Sequence, residues 1–582
     1  MEWLVCFWVS LAMLSFALVT SCILLKAKYR GKRLWNSFNV LISGVFAASI
    51  VMFIPIFRVI FGDDKMRAVK TFLLSLHSTL RLFILEGDFD VIMECAQVAE
   101  NPLGTTYTAL TAVLFIAAPI LTFGVVLSFF KNAFAHFNYF SCFFSDVYVF
   151  SELNSKSLAL AKSLKENNAK RVIAFTDVDE QDVEEAQKLG AILFQKEITE
   201  VRFSAHSKKR TITFFVMNNQ QVENINQTLC LIEQYREREN TVLYVFATET
   251  ENELLLSTAN TGKMKVRRVN EVRSLTSRLL YDEGINIFHE AVEFDSKEKT
   301  ISAIILGMGD HGTQMLKALP WFCQMDGYRV YINAFDKREN VNSSFTAMCP
   351  ELMDNEHNKD FETEGEAHYS IDIHDEIDVE TLEFWERLKD IPCATYVYIA
   401  LGDDEMNIRT ALKVRSWFEK AGMNPRIDAL VRDADKVKAL TGITNYSGQE
   451  YRIHFVGDVL TSYSEQVILG SDVEEAALAR HMKWGEEESF WKYEYNYYSS
   501  AASAIHRKMK ILCGIPGADK RPNEREEHDK NALRVLEHRR WNAYMRTEGY
   551  VYAETRNNLA KTHPCLVKFD ELPLKEQEKD DD

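Results

Sequence analysis

An α-helical transmembrane domain, two Rossmann-like α/β units with doubly wound parallel sheets, and a small, mainly helical C-terminal domain make up the architecture that this sequence predicts. Three observations predict it. Three apolar runs cluster near the N-terminal end. Short apolar runs then alternate with amphipathic stretches, twice over. From Glu486 on, the composition turns aromatic and charged. Alternating strand and helix patterns imply parallel sheet covered by helices. The expected boundaries are 1–140 for the membrane part, 141–295 and 296–485 for the two α/β units, and 486–582 for the last domain.

The apolar runs are Leu4–Leu25, Phe38–Phe61 and Tyr107–Phe130. Each holds about 20 residues or more, enough to cross a ~30 Å hydrocarbon layer. Buried core helices are the alternative, and the clustering of all three at one end disfavours it. The loop after the first run holds Lys26, Lys28, Arg30, Lys32 and Arg33 and no acid. Basic residues beside a span stay in the cytoplasm. The expected topology is therefore a multi-pass inner-membrane protein with its N-terminus outside and everything after Phe130 in the cytoplasm. The first run has no basic n-region and no small-residue cleavage site, so it reads as an anchor.

Between the second and third runs, Phe72, Leu76, Leu80, Phe83 and Ile84 repeat at helical spacing within Thr71–Leu85. The stretch is too polar to span unaided, so a re-entrant or an interfacial helix is expected. Glu86, Asp88, Asp90, Glu94 and Glu100 follow. Rings of carboxylates at a pore mouth concentrate cations, and a solvated acidic loop is the other reading. In the third run Thr108, Thr111, Ala118 and Thr122 fall near one helical face beside Pro119. Small and hydroxylated residues on one stripe suit either close helix packing or a wetted lumen. No TVGYG-like segment is present. Three spans cannot enclose a conduit, so any pore needs several copies, and a homo-oligomer, expected as a tetramer, follows.

The net charge of −17 argues against a general nucleic-acid backbone binder. The ten cysteines form no CxxC pair and no metal-type spacing. In a cytoplasmic body they read as reduced thiols, with no zinc site.

The first α/β series has apolar runs at Val147–Phe150, Arg171–Phe175, Ala191–Phe194, Thr211–Val216 and Val242–Phe246. The second has Ser302–Leu306, Arg329–Phe335, Ala394–Leu401, Arg426–Val431 and Arg452–Phe455. The second series carries Gly307-Met308-Gly309-Asp310-His311-Gly312 between a strand and a helix, with Asp336 ending the next strand. Glycines at these places let backbone amides approach a phosphate at a helix N-terminus, and the acid suits a ribose hydroxyl. A tight turn needing glycine for packing alone is the alternative. The equivalent loop of the first series, Ser151-Glu152-Leu153-Asn154, has no glycine, and Glu152 repels phosphate. No dinucleotide is expected there.

The last domain holds Trp491, Tyr493, Tyr495, Tyr497 and Tyr498, then Leu536-Glu537-His538-Arg539-Arg540-Trp541-Asn542-Ala543-Tyr544 and Glu548-Gly549-Tyr550, and finally His563-Pro564-Cys565 and Phe569-Asp570-Glu571-Leu572-Pro573. Trp541, Tyr544, Tyr550 and Arg540 are of the types that stack a base and pair a phosphate, and Glu537 and His538 of the types that read a base edge. A helical core with structural Glu–Arg pairs is the alternative.

Two resemblances follow from these motifs. Paired Rossmann units after membrane helices, over about Asp146–Gly485, resemble the regulator-of-potassium-conductance (TrkA-N) domains. Phe490–Asp582 resembles the ryanodine-receptor repeat domain, departing at Gly549-Tyr550, where glycine-tryptophan is common. Together they imply a multimeric membrane channel gated by a cytoplasmic nucleotide or short oligonucleotide. The layout looks like that of bacterial anti-phage effectors whose messenger is made by a partner nucleotidyltransferase. The cofactor implied is NAD, ATP or a signalling oligonucleotide. A housekeeping channel or transporter regulated by NAD or ATP, and a membrane-anchored nucleotide-dependent enzyme, remain alternatives. The acid-rich stretches Asp403-Asp404-Glu405 and Asp372 to Glu376 are expected to be solvated, and no catalytic residues or metal ligands are expected.

Overall fold

The computed structural model describes residues 2–26, 31–62, 64–84, 86, 103–142, 144–178, 182–203, 207–247, 259–293, 299–354, 368–437, 451–469 and 471–580. The chain divides into two compact units, Met1–Phe144 with Ala174–His206, and Ser145–Ile173 with Ser207–Asp582.

The first unit holds the helices α1 (Glu2–Lys26), α2 (Gly31–Phe61), α3 (Arg67–Phe83) and α4 (Leu103–Ser141). Within them Trp3–Ser21, Val40–Phe61 and Gly104–Phe123 are long and apolar enough to cross a membrane. Helices α1 and α2 touch closely, because a Cβ on Gly44 would lie 2.3 Å from that of Ala17. Ser10 donates to the Ala48 carbonyl (3.1 Å) nearby. Small residues permit such approach, and van der Waals packing of this kind holds membrane helices together.

Helix α3 runs back along α2. At its start Arg67 Nη2 donates to the Arg58 carbonyl (2.8 Å) and Lys70 lies over the Phe61 ring (5.9 Å). At its end Phe83 meets Phe46, with ring centroids 5.7 Å apart. Phe46 to Phe61 covers about 22 Å of helix at ~1.5 Å per residue, so α3 follows most of the second candidate span. Its faces are reversed relative to a water-soluble helix. Thr71, Ser75 and Thr79 are buried, while Val69, Phe72, Leu73 and Leu80 are exposed. Such reversal suits an apolar surround. At the far end of α4, Tyr139 donates to the Phe203 carbonyl (3.3 Å). His136 and Tyr139 also set their rings edge-on to Phe194, at 5.1 and 6.4 Å.

The α/β part contains two parallel sheets. In the first, β1 (Val147–Phe150), β2 (Val172–Phe175), β3 (Ile192–Leu193), β4 (Ile212–Val216), β5 (Thr241–Phe246) and β6 (Lys265–Val269) take the order β3-β2-β1-β4-β5-β6. The second holds β7 (Val292–Glu293), β8 (Lys299–Leu306), β9 (Tyr328–Phe335), β10 (Tyr369–His374), β11 (Tyr396–Ile399), β12 (Arg426–Leu430) and β13 (Ile453–Val456). Its order is β10-β9-β8-β11-β12-β13, with β7 antiparallel on β8. Each is the 3-2-1-4-5-6 order of a Rossmann fold. The predicted fold class is therefore the observed one.

The two Rossmann units pack reciprocally. After β6, helix α6 (Glu271–Glu283) leaves the first unit, and its Leu275 and Leu280 join a core with Met315, Leu316 and Leu319 of the second. After β13, Glu465 reaches back to the end of α5 (Ser155–Asn167), where Asn167 donates to it (2.8 Å). Arg171 clamps the same carboxylate with Nη1 at 2.6 Å and Nη2 at 2.9 Å. The C-terminal helices α8 (Glu494–Leu512) and α9 (Glu527–Thr547) share the core of the second Rossmann unit through Ile505, Met509, Leu536 and Met545.

Candidate functional site

The glycine loop joins β8 to α7 (Asp310–Phe322). Gly307 has φ +92°, and a Cβ there would lie 2.4 Å from the Ala400 carbonyl oxygen. At Gly312 a Cβ would sit 1.8 Å from the Gly307 carbonyl oxygen. These two glycines let the turn close and the helix press on the strand. Gly309 differs. It is the residue before the helix, it is exposed, and nothing lies within 4 Å of where its Cβ would stand. Open space over a helix N-terminus is where an anionic group binds. Asp310, exposed in the first turn, adds a negative charge at the rim.

Asp336 does not wait for a sugar hydroxyl. Its Oδ2 accepts from the Met308 amide (2.7 Å), and its Oδ1 accepts from the Arg338 amide (2.8 Å) and Arg338 Nε (2.9 Å). Arg338 Nη2 also donates to Asp336 Oδ2 (3.1 Å) and to the Met308 carbonyl (2.6 Å). Burial works against the Asp336 charge, but the bonds from Arg338 and Met308 outweigh it and hold the carboxyl below its ordinary pKa. In this arrangement Asp336 braces the loop, and a ribose reaches it only when the Arg338 guanidinium gives way. That side chain is 57% exposed, with room to swing. Arg338, two residues past the acid, is a site residue that the sequence reading missed. In the first Rossmann unit Glu152 accepts from the Asn219 amide and from Asn219 Nδ2, both at 3.1 Å, so the chain's own carboxylate is fixed beside that loop.

The C-terminal helices enclose a second cleft, a cavity of about 220 Å³. Glu537, His538, Arg540 and Trp541 all line it. Tyr544 does not. It is buried on another side of α9, where its hydroxyl accepts from Arg273 Nη2 of α6 (2.8 Å). Helical spacing grouped it with Arg540 and Trp541, and the packing of α6 against α9 separates it. Nor does Glu537 face a base edge. Its carboxylate is buried and accepts from Ser503 Oγ (2.7 Å), Arg540 Nη2 (2.7 Å) and Lys510 Nζ (3.1 Å). Burial opposes its charge, and Arg540 and Lys510 overcome that and hold it well below the usual carboxylate range. His538 is likewise engaged, by the Val567 carbonyl at Nε2 (2.8 Å) and by Asp580 at Nδ1 (3.2 Å). Trp541 lies between two imidazoles, 5.9 Å from the His538 ring and 4.9 Å from that of His563. Ser503 and Lys510 come from α8 and Arg480 and Asp580 from two other elements, and no local pattern marks them.

In the membrane unit, Thr108, Thr111 and Thr122 return their hydroxyls to the carbonyls of Gly104, Tyr107 and Ala118, at 2.8, 2.8 and 3.0 Å. Thr111 is buried against its own chain, beside Ser49, Met52 and Leu82. The outward face of α4 is Val113, Ile116, Ile120 and Phe123. Glu86 is exposed, with Oε2 3.7 Å from Arg81 Nε. Asp88, Asp90, Glu94 and Glu100 lie outside the described residues.

The acid-rich stretches have structural work. Asp403 caps the helix Asp404–Lys420 by accepting from the Met406 amide (2.9 Å), and Asp404 accepts from the amides of Arg432 and Asp433 (3.0 Å each). Asp375 accepts from the Asn342 amide (2.8 Å). Among the described residues no group of three or more His, Cys, Asp or Glu is placed to hold a metal ion.

No protein-family model matches the chain, and no curated protein matches it. Among solved structures the chain is similar to the "GsuK channel bound to NAD", at 12% identity and a TM-score of 0.34, covering 80% of this chain and 85% of that one. It is similar to a mutant of GsuK at 11% identity and a TM-score of 0.33, covering 76% and 100%. It is also similar to the A chain of dipicolinate synthase from Bacillus subtilis, at 12% identity and a TM-score of 0.21, covering 56% and 93%. At these values similarity is all that they convey, and the chemistry of the site follows from its own residues. By its own elements the chain is a tandem Rossmann protein with three helices able to cross a membrane.

Proposed function

We propose that this protein is a ligand-regulated membrane channel built from several copies of the chain, with a nucleotide-type ligand over the loop Gly307–Gly312. One observation carries the sensor half. Gly307 and Gly312 are locked by close backbone approach, while Gly309 faces open space at a helix N-terminus. Packing alone explains the first two glycines and leaves the third without a purpose. Supporting the conduit half, α3 follows α2 with its apolar face outward and its hydroxylated face inward. A span, a half-helix and a span give a pore only when several copies surround an axis. The Glu86 carboxylate, with Asp88 and Asp90 after it in sequence, would then recur once per subunit and favour cations. The chain acts here as sensor and conduit and not as an enzyme, and the structural roles of Asp403, Asp404 and Asp375 support that.

An effector role in anti-phage signalling, with the ligand made by a nucleotidyltransferase, is the finer reading. Its support is the resemblance of Phe490–Asp582 to the ryanodine-receptor repeat domain. The channel reading is tested with purified protein in planar lipid bilayers, as isolated with any nucleotide it retains and after addition of NAD or ATP. Current whose open probability changes with NAD or ATP, and no longer does so in Gly309→Glu, is the expected result. Protein that passes no current under any of these conditions is an anchored sensor, and the channel reading fails.

A further inference from the structure

The cleft under α8 and α9 is lined by Arg480, Arg540, Arg556 and Lys579 together with Glu537, Glu576 and Asp580. Arg540 is only 2% exposed. Its Nη2 donates to Glu537, but its Nε and Nη1 have no hydrogen-bond partner among the described residues. A buried N–H without an acceptor carries its full desolvation cost. The Glu537 carboxylate is meanwhile shared by Arg540, Lys510 and Arg480, whose Nη2 is 3.7 Å away. Arg556, exposed, adds a fourth cation to the lining. Glu576 does not cancel it, since Lys579 holds that acid at 2.7 and 2.8 Å.

The remaining carboxylate of the cleft is Asp580, in the turn Glu578–Asp580, set against His538. It stands where an external anion would sit. Burial pushes its carboxyl above the ordinary pKa. A phosphate monoester carries ≈ −1.5 to −2 charge near neutral pH and three acceptor oxygens, enough to meet the unpaired nitrogens. The rim adds the Trp484 indole, 51% exposed, and the Tyr495 ring also lines the cleft. Such faces stack a base. Size decides between ligands. The ~220 Å³ volume falls below the roughly 300–1,000 Å³ of pockets that enclose a whole drug-sized ligand. The cleft is therefore sized for a phosphate with one base at the rim and not for an enclosed dinucleotide.

We propose that this cleft is a second ligand site, separate from the glycine loop, which takes the phosphate and base of a single nucleotide unit, and that Asp580 is an internal carboxylate which the ligand displaces. The binding stands independently of channel activity, and only a regulatory use of the site rests on the sensor reading.

The test uses the full-length protein in detergent, carrying Gly309→Glu so that the glycine loop does not contribute, and isothermal titration calorimetry with 5′-AMP, inorganic phosphate and adenosine. AMP is expected to bind more tightly than phosphate, and adenosine to give no measurable binding. Adding Asp580→Asn, which keeps the shape and removes the competing charge, should tighten AMP at least roughly tenfold. A gain of affinity cannot come from misfolding. Arg556→Glu, on the surface, should weaken AMP by a similar factor. AMP affinity unmoved by Asp580→Asn overturns the displacement. Adenosine binding as well as AMP overturns the phosphate assignment, and phosphate binding as well as AMP overturns the base assignment. No binding of any of the three, in either protein, removes the site.

Discussion

At the scale of single residues, the three glycines of one motif have three different environments. A Cβ at Gly312 meets a backbone oxygen that cannot move aside, and one at Gly309 meets nothing. Gly312→Ala should therefore cost more than about 2 kcal/mol of stability, as overpacking against backbone does. Gly309→Ala should stay within about 0.5 kcal/mol. Thermal or denaturant unfolding of the two variants checks this, and equal losses would mean that the loop is shaped otherwise. The motif itself was legible, because strand, glycines and helix are consecutive in the chain. The state of Asp336 was not. Whether an acid at a strand end is open to a ligand depends on what its neighbours do, and here Arg338 turns back to it. Glu537 and Tyr544 teach the same lesson on α9. Their spacing is that of one helical face, yet one is buried among cations and the other meets Arg273.

At the scale of elements, the strands that the sequence announced include every central one and the edge strands β3 and β13. The three it did not announce, β6, β7 and β10, are marginal in their sheets. Lys265-Val266-Arg267-Arg268-Val269 is too charged to read as a buried run, and Tyr369–His374 alternates apolar and polar residues. Edge strands carry polar residues for solubility, and that weakens their signal. The reciprocal packing of the Rossmann units was equally hidden, since it joins elements some 300 residues apart, as in the Arg171–Glu465 pair (|i−j| 294). That pair is bidentate and mostly buried, at 20% and 16% side-chain exposure. A double-mutant cycle with Arg171→Met and Glu465→Gln should give a coupling of about 1–2 kcal/mol. A coupling near zero would mean that apolar contacts alone hold the two units together.

At the scale of the whole molecule, the membrane spans and the sign of their flanking charges bear on orientation. Lys26, Lys28, Arg30, Lys32 and Arg33 follow the first span without an opposing acid, so the rest of the chain after α4 should lie in the cytoplasm. A reporter active only outside the cytoplasm, fused after Asp582, should stay silent in cells, and strong activity would reverse the topology and remove the cytoplasmic sensor. The sequence by itself determined the three spans, the twofold α/β succession and the glycine turn, because each is written in the periodicity or order of neighbouring residues. Only the tertiary structure decided that α3 doubles back along α2, that Arg338 holds Asp336, that Tyr544 leaves the cleft, and that Arg480, Lys510 and Asp580 meet around Glu537 and His538. Those outcomes depend on side chains brought together from distant elements, and a local pattern carries no record of which element will be its neighbour.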